Sequence, residues 1–247
     1  GTNVFRKDTV GANVIGGDWK LNLLDNRLFS NGQIIGSNVN NSIGRAFRFN
    51  AGYLDPDWWS ARIWLGTSDN KFDINDLGFI RRNNITWGGA RLAFRKQEPW
   101  GRFINNNIEF KYTQNWNRSG LILERQFEVE QNNLFSNYWR FGFFGNLFLP
   151  GFNDEDVFRN DNAWVYKTEL WGYGGPSIST DRRKKIIIGA EFGSGYGKNR
   201  GMGYRANVWL QAKPLEQLNF ELNVMEDKSP SYMRWVDIIE NFHDTAR

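Results

Sequence analysis

Along most of this chain, apolar and polar side chains alternate one for one. In Arg45-Ala46-Phe47-Arg48-Phe49-Asn50-Ala51-Gly52-Tyr53, the residues Phe47, Phe49, Ala51 and Tyr53 share one face. Ala46, Arg48, Asn50 and Gly52 share the other. A period of two is the signature of a β-strand with different surroundings on its two sides. The pattern returns at 59–66, 108–113, 139–147, 204–213 and 218–224. About thirteen such segments can be read by this criterion, over 11–24, 27–38, 45–54, 58–67, 85–95, 104–115, 121–131, 136–148, 163–173, 185–195, 203–213, 217–226 and 232–242. Most are near the ~9–11 residues that cross a bilayer as a tilted strand.

Composition decides what the two sides face. Mean hydropathy is only −0.60, yet the chain carries 20 Phe, 12 Trp, 8 Tyr and 26 Gly. A spanning strand needs apolar residues only at alternate positions, with aromatic girdles at both interfaces, so modest hydropathy and many aromatics fit together. No apolar run approaches the ~18–20 residues of a spanning helix; runs such as Ile186-Ile187-Ile188 are short. A helical membrane protein is excluded. The 31 basic and 27 acidic residues are interspersed, which argues against nucleic acid as a partner. There is no Cys, so thiol chemistry is excluded too.

Connections differ by side. Asp25-Asn26, Asp55-Pro56-Asp57 and Lys213-Pro214-Leu215-Glu216-Gln217 read as tight turns, whereas 67–84, 149–162 and 194–202 read as long polar loops. Counting strands puts the tight turns on one side and these loops on the other, the asymmetry of outer-membrane barrels. Two features run against this frame. The connection 173–184 is long but falls on the short-turn side. Arg125 shares an apolar face with Leu121, Leu123, Phe127 and Val129, and would cost ~2–4 kcal/mol at a bilayer midplane. A bulge, an interfacial position or reversed faces would each remove that difficulty. In hydrocarbon every backbone group needs a protein partner, so a spanning sheet must close. The expectation is an all-β, antiparallel up-and-down transmembrane β-barrel formed by residues 1–247 as a single domain. An odd strand count and a last strand running into His243-Asp244-Thr245-Ala246-Arg247 suggest part of a larger barrel.

Local motifs add a resemblance. Phe72-Asp73-Ile74-Asn75-Asp76-Leu77-Gly78-Phe79-Ile80-Arg81-Arg82, Gly174-Gly175-Pro176 and Lys213-Pro214-Leu215 resemble those of a family of large bacterial envelope proteins. In that family a family-9-like carbohydrate-binding domain precedes a C-terminal outer-membrane barrel domain of unknown function. Asp73, Asn75, Gly78, Phe79 and Arg81 carry the most specific match. The resemblance implies a bacterial outer-membrane location and a connection to glycans through a partner domain. It implies no catalytic residues.

Candidate chemistry is sparse. His243 is the only histidine and lies in the terminal tail, so a Ser-His-acid arrangement is not expected. A His/Cys metal site is not available. The loops holding Asp69, Asp73, Asn75 and Asp76, and Asn153, Asp154, Glu155, Asp156 and Asp161, lack the spacing of a calcium loop. Glu124, Gln126, Glu128 and Glu130 alternate on one face, with Glu109 and Lys111 on the strand before. They read as a polar lumen rather than as paired glycosidase carboxylates. The basic run Arg182-Arg183-Lys184-Lys185 suits a solvated turn or lipid phosphates. Trp58, Trp59, Trp87, Trp100, Trp116, Trp139, Trp164, Trp171 and Trp235 fall mostly near predicted strand ends, as in an interfacial belt. Trp64 and Trp209 stand on polar faces and are the candidates for sugar stacking or lumen aromatics.

The sequence therefore points to a non-enzymatic outer-membrane barrel serving as channel, transporter or anchor. Its expected partners are outer-membrane lipid and, through a carbohydrate-binding domain of the same polypeptide, glycans; no cofactor is expected. A soluble glycan-binding β-protein and a glycoside hydrolase are the alternatives.

Overall fold

The computed structural model describes residues 2–6, 9–75, 80, 82–154, 165–198, 200–215 and 217–228. The elements among these are all strands. They are β1 (Thr2–Arg6), β2 (Thr9–Leu23), β3 (Leu28–Val39), β4 (Ser42–Leu54), β5 (Trp59–Ser68), β6 (Ile85–Lys96), β7 (Phe103–Asn117), β8 (Ile122–Phe135), β9 (Arg140–Phe148), β10 (Gly151–Asn153), β11 (Tyr166–Thr168), β12 (Trp171–Ser179), β13 (Ile186–Gly197), β14 (Gly201–Leu215) and β15 (Leu218–Lys228).

Thirteen of them form one sheet in chain order, with the β10–β11 hairpin set aside as a separate pair. Every pairing is antiparallel. The fold is an up-and-down meander. β1 and β15 are its edges, and among the described residues no strand pairs with their outer sides, so the sheet is not closed into a barrel. The expected segment 232–242 lies outside the described residues.

Register carries the sequence alternation into two separate surfaces, because directly opposed residues of an antiparallel pair lie on the same face. One transverse row reads Ala51, Ile63, Ala90, Tyr112, Phe127 and Leu147 across β4 to β9. The neighbouring row on the other face reads Gly52, Arg62, Arg91, Lys111, Glu128 and Asn146.

The apolar face has no second layer. Ile63 is 54% exposed, Ile188 49% and Leu222 60%. Phe110, Phe127, Phe143, Leu147 and Phe220 are exposed on the same face. No large side chain is fully buried among the described residues, and the buried apolar set is Ala12, Phe72, Ala93 and Ile187. A soluble sandwich would bury its apolar face against another layer. Monomeric soluble proteins rarely expose apolar patches beyond a few hundred Å², and this one runs across most of the sheet. Between Ile186 and Tyr196 the chain advances ~34 Å at ~3.4 Å per residue.

Three expectations change. The strand expected at 163–173 is Trp171–Ser179, and only Tyr166–Thr168 precedes it. The supposed long connection 173–184 is therefore mostly strand, and the remaining link, 180–185, is short. Likewise 194–202 is not a long loop: β13 runs to Gly197 and β14 begins at Gly201. The two long connections, 69–84 and 149–170, lie at the same end of the sheet. At that end β3 and β4 are joined by Asn40-Asn41 alone, with φ of 50° and 61°, the left-handed pair of a two-residue hairpin.

Arg125 keeps its apolar-face position, opposite Gln114. The register shifts between Asn115 and Trp116, which leaves Leu123 unpaired as a bulge. Arg125 lies near the long-loop end of β8 and donates from Nη2 to the Pro150 carbonyl at 2.7 Å. It has a partner and is not at mid-strand.

Candidate functional site: the polar face and its loop cover

The polar face is a ladder of cross-strand hydrogen bonds. Asn50 donates to Asn31 (3.4 Å), and Arg62 donates to Asn50. Arg91 pairs with Glu109, Lys111 with Glu128 at 2.8 Å, and Asn115 donates to Glu124 at 2.9 Å. Gln126 donates to Asn146 at 2.9 Å, Gln211 to Glu221 at 2.8 Å, and Arg205 pairs with Asp227 at 2.8 Å. The carboxylates that sequence reasoning weighed as a glycosidase pair are thus engaged by cations or amides. Glu130 accepts from Asn132 at 2.8 Å.

Several rings lie down on this face because the facing residue is glycine. A Cβ on Gly89 would overlap the Trp64 ring, and one on Gly66 would overlap Trp87. Trp64 is opposite Gly89 and Trp87 is opposite Gly66, so the two indoles form a reciprocal pair across β5 and β6. Trp209 lies over Gly189 in the same way. Tyr173 covers Gly193 and Gly195, and Trp171 approaches Gly197. Trp171, Tyr173, Phe148 and Phe144 form a continuous ring cluster, with Trp171 stacked on Tyr173 at 5.9 Å. Trp64 and Trp209 are therefore on the polar face, as expected. Trp87 and Trp171, assigned to an interfacial belt from sequence, are on that face too. The readable signal was the antiparallel match of Trp64-Leu65-Gly66 with Trp87-Gly88-Gly89.

A second group of aromatics gathers on the apolar face at the short-turn end. Trp58 stacks on Phe94 (5.8 Å), Trp59 meets Tyr53 (5.1 Å), Trp100 meets Phe103 (5.2 Å) and Phe103 meets Phe135 (4.9 Å). Trp100 donates to Asn106. Trp164 and Trp235 lie outside the described residues.

Residues 69–75 of the first long connection fold back over the polar face. The Phe72 backbone occupies the space a Gly44 Cβ would need. Phe72 is buried, and the Asp73 amide donates to Ser37 Oγ at 3.1 Å. The acidic residues here bind their own loop. Asp69 accepts the amides of Arg45 and Lys71, Asp73 accepts that of Asn75, and Asn75 Oδ1 accepts that of Ile80. No group of three or more potential metal ligands occurs among the described residues. Asp73 and Asn75 are thus structural members of the loop; Gly78, Phe79 and Arg81 lie outside the described residues.

The second long connection meets the first through Arg82 and Asp154. Both guanidinium nitrogens engage the carboxylate at 2.7 Å, and Asn117 Nδ2 adds a contact to Asp154 at 3.4 Å. Arg82, Asn115, Arg125, Asp154, Thr168 and Arg200 line a mixed polar cleft of about 480 Å³ at this end. No sequence signal joined these residues.

A one-sheet meander with a bare apolar face and a hydrogen-bonded polar face defines an all-β class without a conventional core. Over residues 1–245 the chain matches the family described as "Domain of unknown function (DUF5916)", and it belongs to that family. No curated protein and no solved structure matches it.

Proposed function

We propose that the chain is a non-enzymatic barrel domain of a bacterial outer membrane, acting as a channel, transporter or anchor. The observation that carries this reading is the uncovered apolar face, opposite a face on which polar side chains bond across several neighbouring strand pairs between β3 and β9 and again between β14 and β15. Lipid chains would solvate the first surface, and water with dissolved solutes the second. Edge strands cannot face hydrocarbon with unpaired backbone groups, so the reading requires β1 and β15 to find partners. The long connections at one end, one of them folded over the polar face, suit the extracellular side. The short turns, ringed by Trp58, Trp59, Trp100 and Trp139, suit the periplasmic interface. By resemblance, the barrel would serve a carbohydrate-binding domain of the same polypeptide.

Flotation tests this directly. The purified protein, reconstituted with phospholipid vesicles and washed with alkaline carbonate, is expected to float with the lipid. It is also expected to change its electrophoretic mobility in SDS on boiling. Monomeric behaviour in detergent-free buffer and failure to float would overturn the reading in favour of a soluble glycan-binding protein.

A further inference from the structure

The polar face of β4, β5 and β6 holds a compact patch that the hydrogen-bond ladder leaves largely uncommitted. Register lays it out as three rows: Arg48, Gly66 and Trp87; Asn50, Trp64 and Gly89; Gly52, Arg62 and Arg91. With strands ~4.8 Å apart and same-face residues ~6.8 Å apart, the grid spans about 10 by 14 Å. The polar face of β3 to β6 carries no acidic residue. The nearest acid on the following strand, Glu109, takes one nitrogen of Arg91. Among the described residues, Arg62 is held only by the neutral amide of Asn50. Arg48 is exposed and makes no ion pair or hydrogen bond to another described residue. Arg62 and Arg91 stand directly opposite each other, an arrangement that disfavours the sheet.

The two indoles complete the chemistry. Each has one ring face seated on a glycine. Neither stacks on another ring, and neither Nε1–H has a protein acceptor among the described residues. A pyranose presents a flat C–H face to an aromatic ring and equatorial hydroxyls around its rim. Here the rim is met by indole N–H groups and the Asn50 amide. An acidic substituent would meet guanidinium groups, which bind carboxylate, sulfate or phosphate through paired hydrogen bonds. A nucleobase would also stack, but it has fewer rim hydroxyls for these donors.

We infer that this patch is a binding site for anionic oligosaccharides, held by Arg48, Arg62 and Arg91 with Trp64 and Trp87 as platforms. The inference rests on the proposed reading, in which the polar face lines a water-filled interior.

The test is calorimetric titration of the full protein in detergent micelles with trigalacturonate, maltotriose and a nucleoside monophosphate. Trigalacturonate is expected to bind at least tenfold more tightly than maltotriose. Arg62→Gln, Arg91→Gln and Trp64→Ala should each weaken it about tenfold. Arg62→Lys keeps the charge but not the paired hydrogen bonds, so it should weaken binding less than Arg62→Gln does, and Arg140→Gln, a cation elsewhere on the same face, should leave it unchanged. Equal affinity for maltotriose, binding of the nucleotide alone, or indifference to Arg62→Gln and Arg91→Gln would overturn the site. The same preparation is floated with vesicles. Protein that floats but ignores trigalacturonate loses this site only. Protein that remains soluble loses the interior, and the site with it.

Discussion

Arg82 grips Asp154 through two parallel hydrogen bonds of 2.7 Å, joining connections that lie 72 residues apart in sequence. The side chains are 18% and 6% exposed. Removing Arg82 leaves the buried Asp154 carboxylate without its cation, with a long 3.4 Å contact from Asn117 in its place, at a cost of about 3 kcal/mol. Arg82→Ala should release both connections locally. The expected outcome is faster tryptic cleavage near the long-loop end while the strands stay protected. Unchanged cleavage would show that the pair does not hold the loops.

The opposite end offers a pH prediction. In the β12–β13 turn, hydrogen bonds from the Arg183 guanidinium, at 2.9 and 2.8 Å, and from the Arg183 amide hold the Asp181 carboxyl down at about 2. Its unfolded value is about 3.9. A depressed carboxylate contributes stability above its unfolded value and loses it as pH falls through the folded one. Amide exchange protection at Lys184, whose N–H bonds the Asp181 carbonyl, should be flat above pH 5 and fall between about pH 4 and pH 2. Asp181→Asn should abolish that step.

Glycine positions separate two environments. Gly89→Val would drive a side chain into the Trp64 ring, and overpacking of this kind costs about 1–3 kcal/mol. A shift in tryptophan emission should accompany the loss. Gly17 has nothing within 4 Å of an added Cβ. Gly17→Val should be neutral or stabilising by about 0.5–1 kcal/mol, the usual benefit of replacing a strand glycine. Denaturant midpoints of the two variants, measured side by side, check the contrast.

A charge on the bare face distinguishes lipid from water around it. Ile63, flanked on its face by Ala61 and Leu65, is already exposed. In buffer, Ile63→Arg would change stability by no more than about 0.5 kcal/mol. At a bilayer midplane it should cost about 2–4 kcal/mol. Reversible unfolding from vesicles reads the difference.

Alternation made the strands legible because each residue reports its own surroundings. Phe47, Phe49, Ala51 and Tyr53 share a face in the structure as they do in the sequence pattern. Glycine and proline misled where they ordinarily signal turns. Gly174-Gly175-Pro176 lies inside β12, because the β13 backbone at Phe192 comes so close to Gly175 that no Cβ would fit. Pro176 pairs in register with Phe143 on β9. Gly195 and Gly197 fall in the span 194–202 that reads as loop for the same reason, although Tyr173 and Trp171 require them bare. Trp64 could be placed on the polar face from its own strand. Its relation to Gly89 needed the neighbouring register, and the Arg82–Asp154 pair needed the tertiary fold.

Each strand of the main sheet bonds only to its predecessor and successor in that sheet. Deleting or duplicating one hairpin would narrow or widen the ribbon by two strands and leave every other register intact. Breadth, rather than wiring, is thus the quantity that evolution can adjust most cheaply in a molecule of this kind.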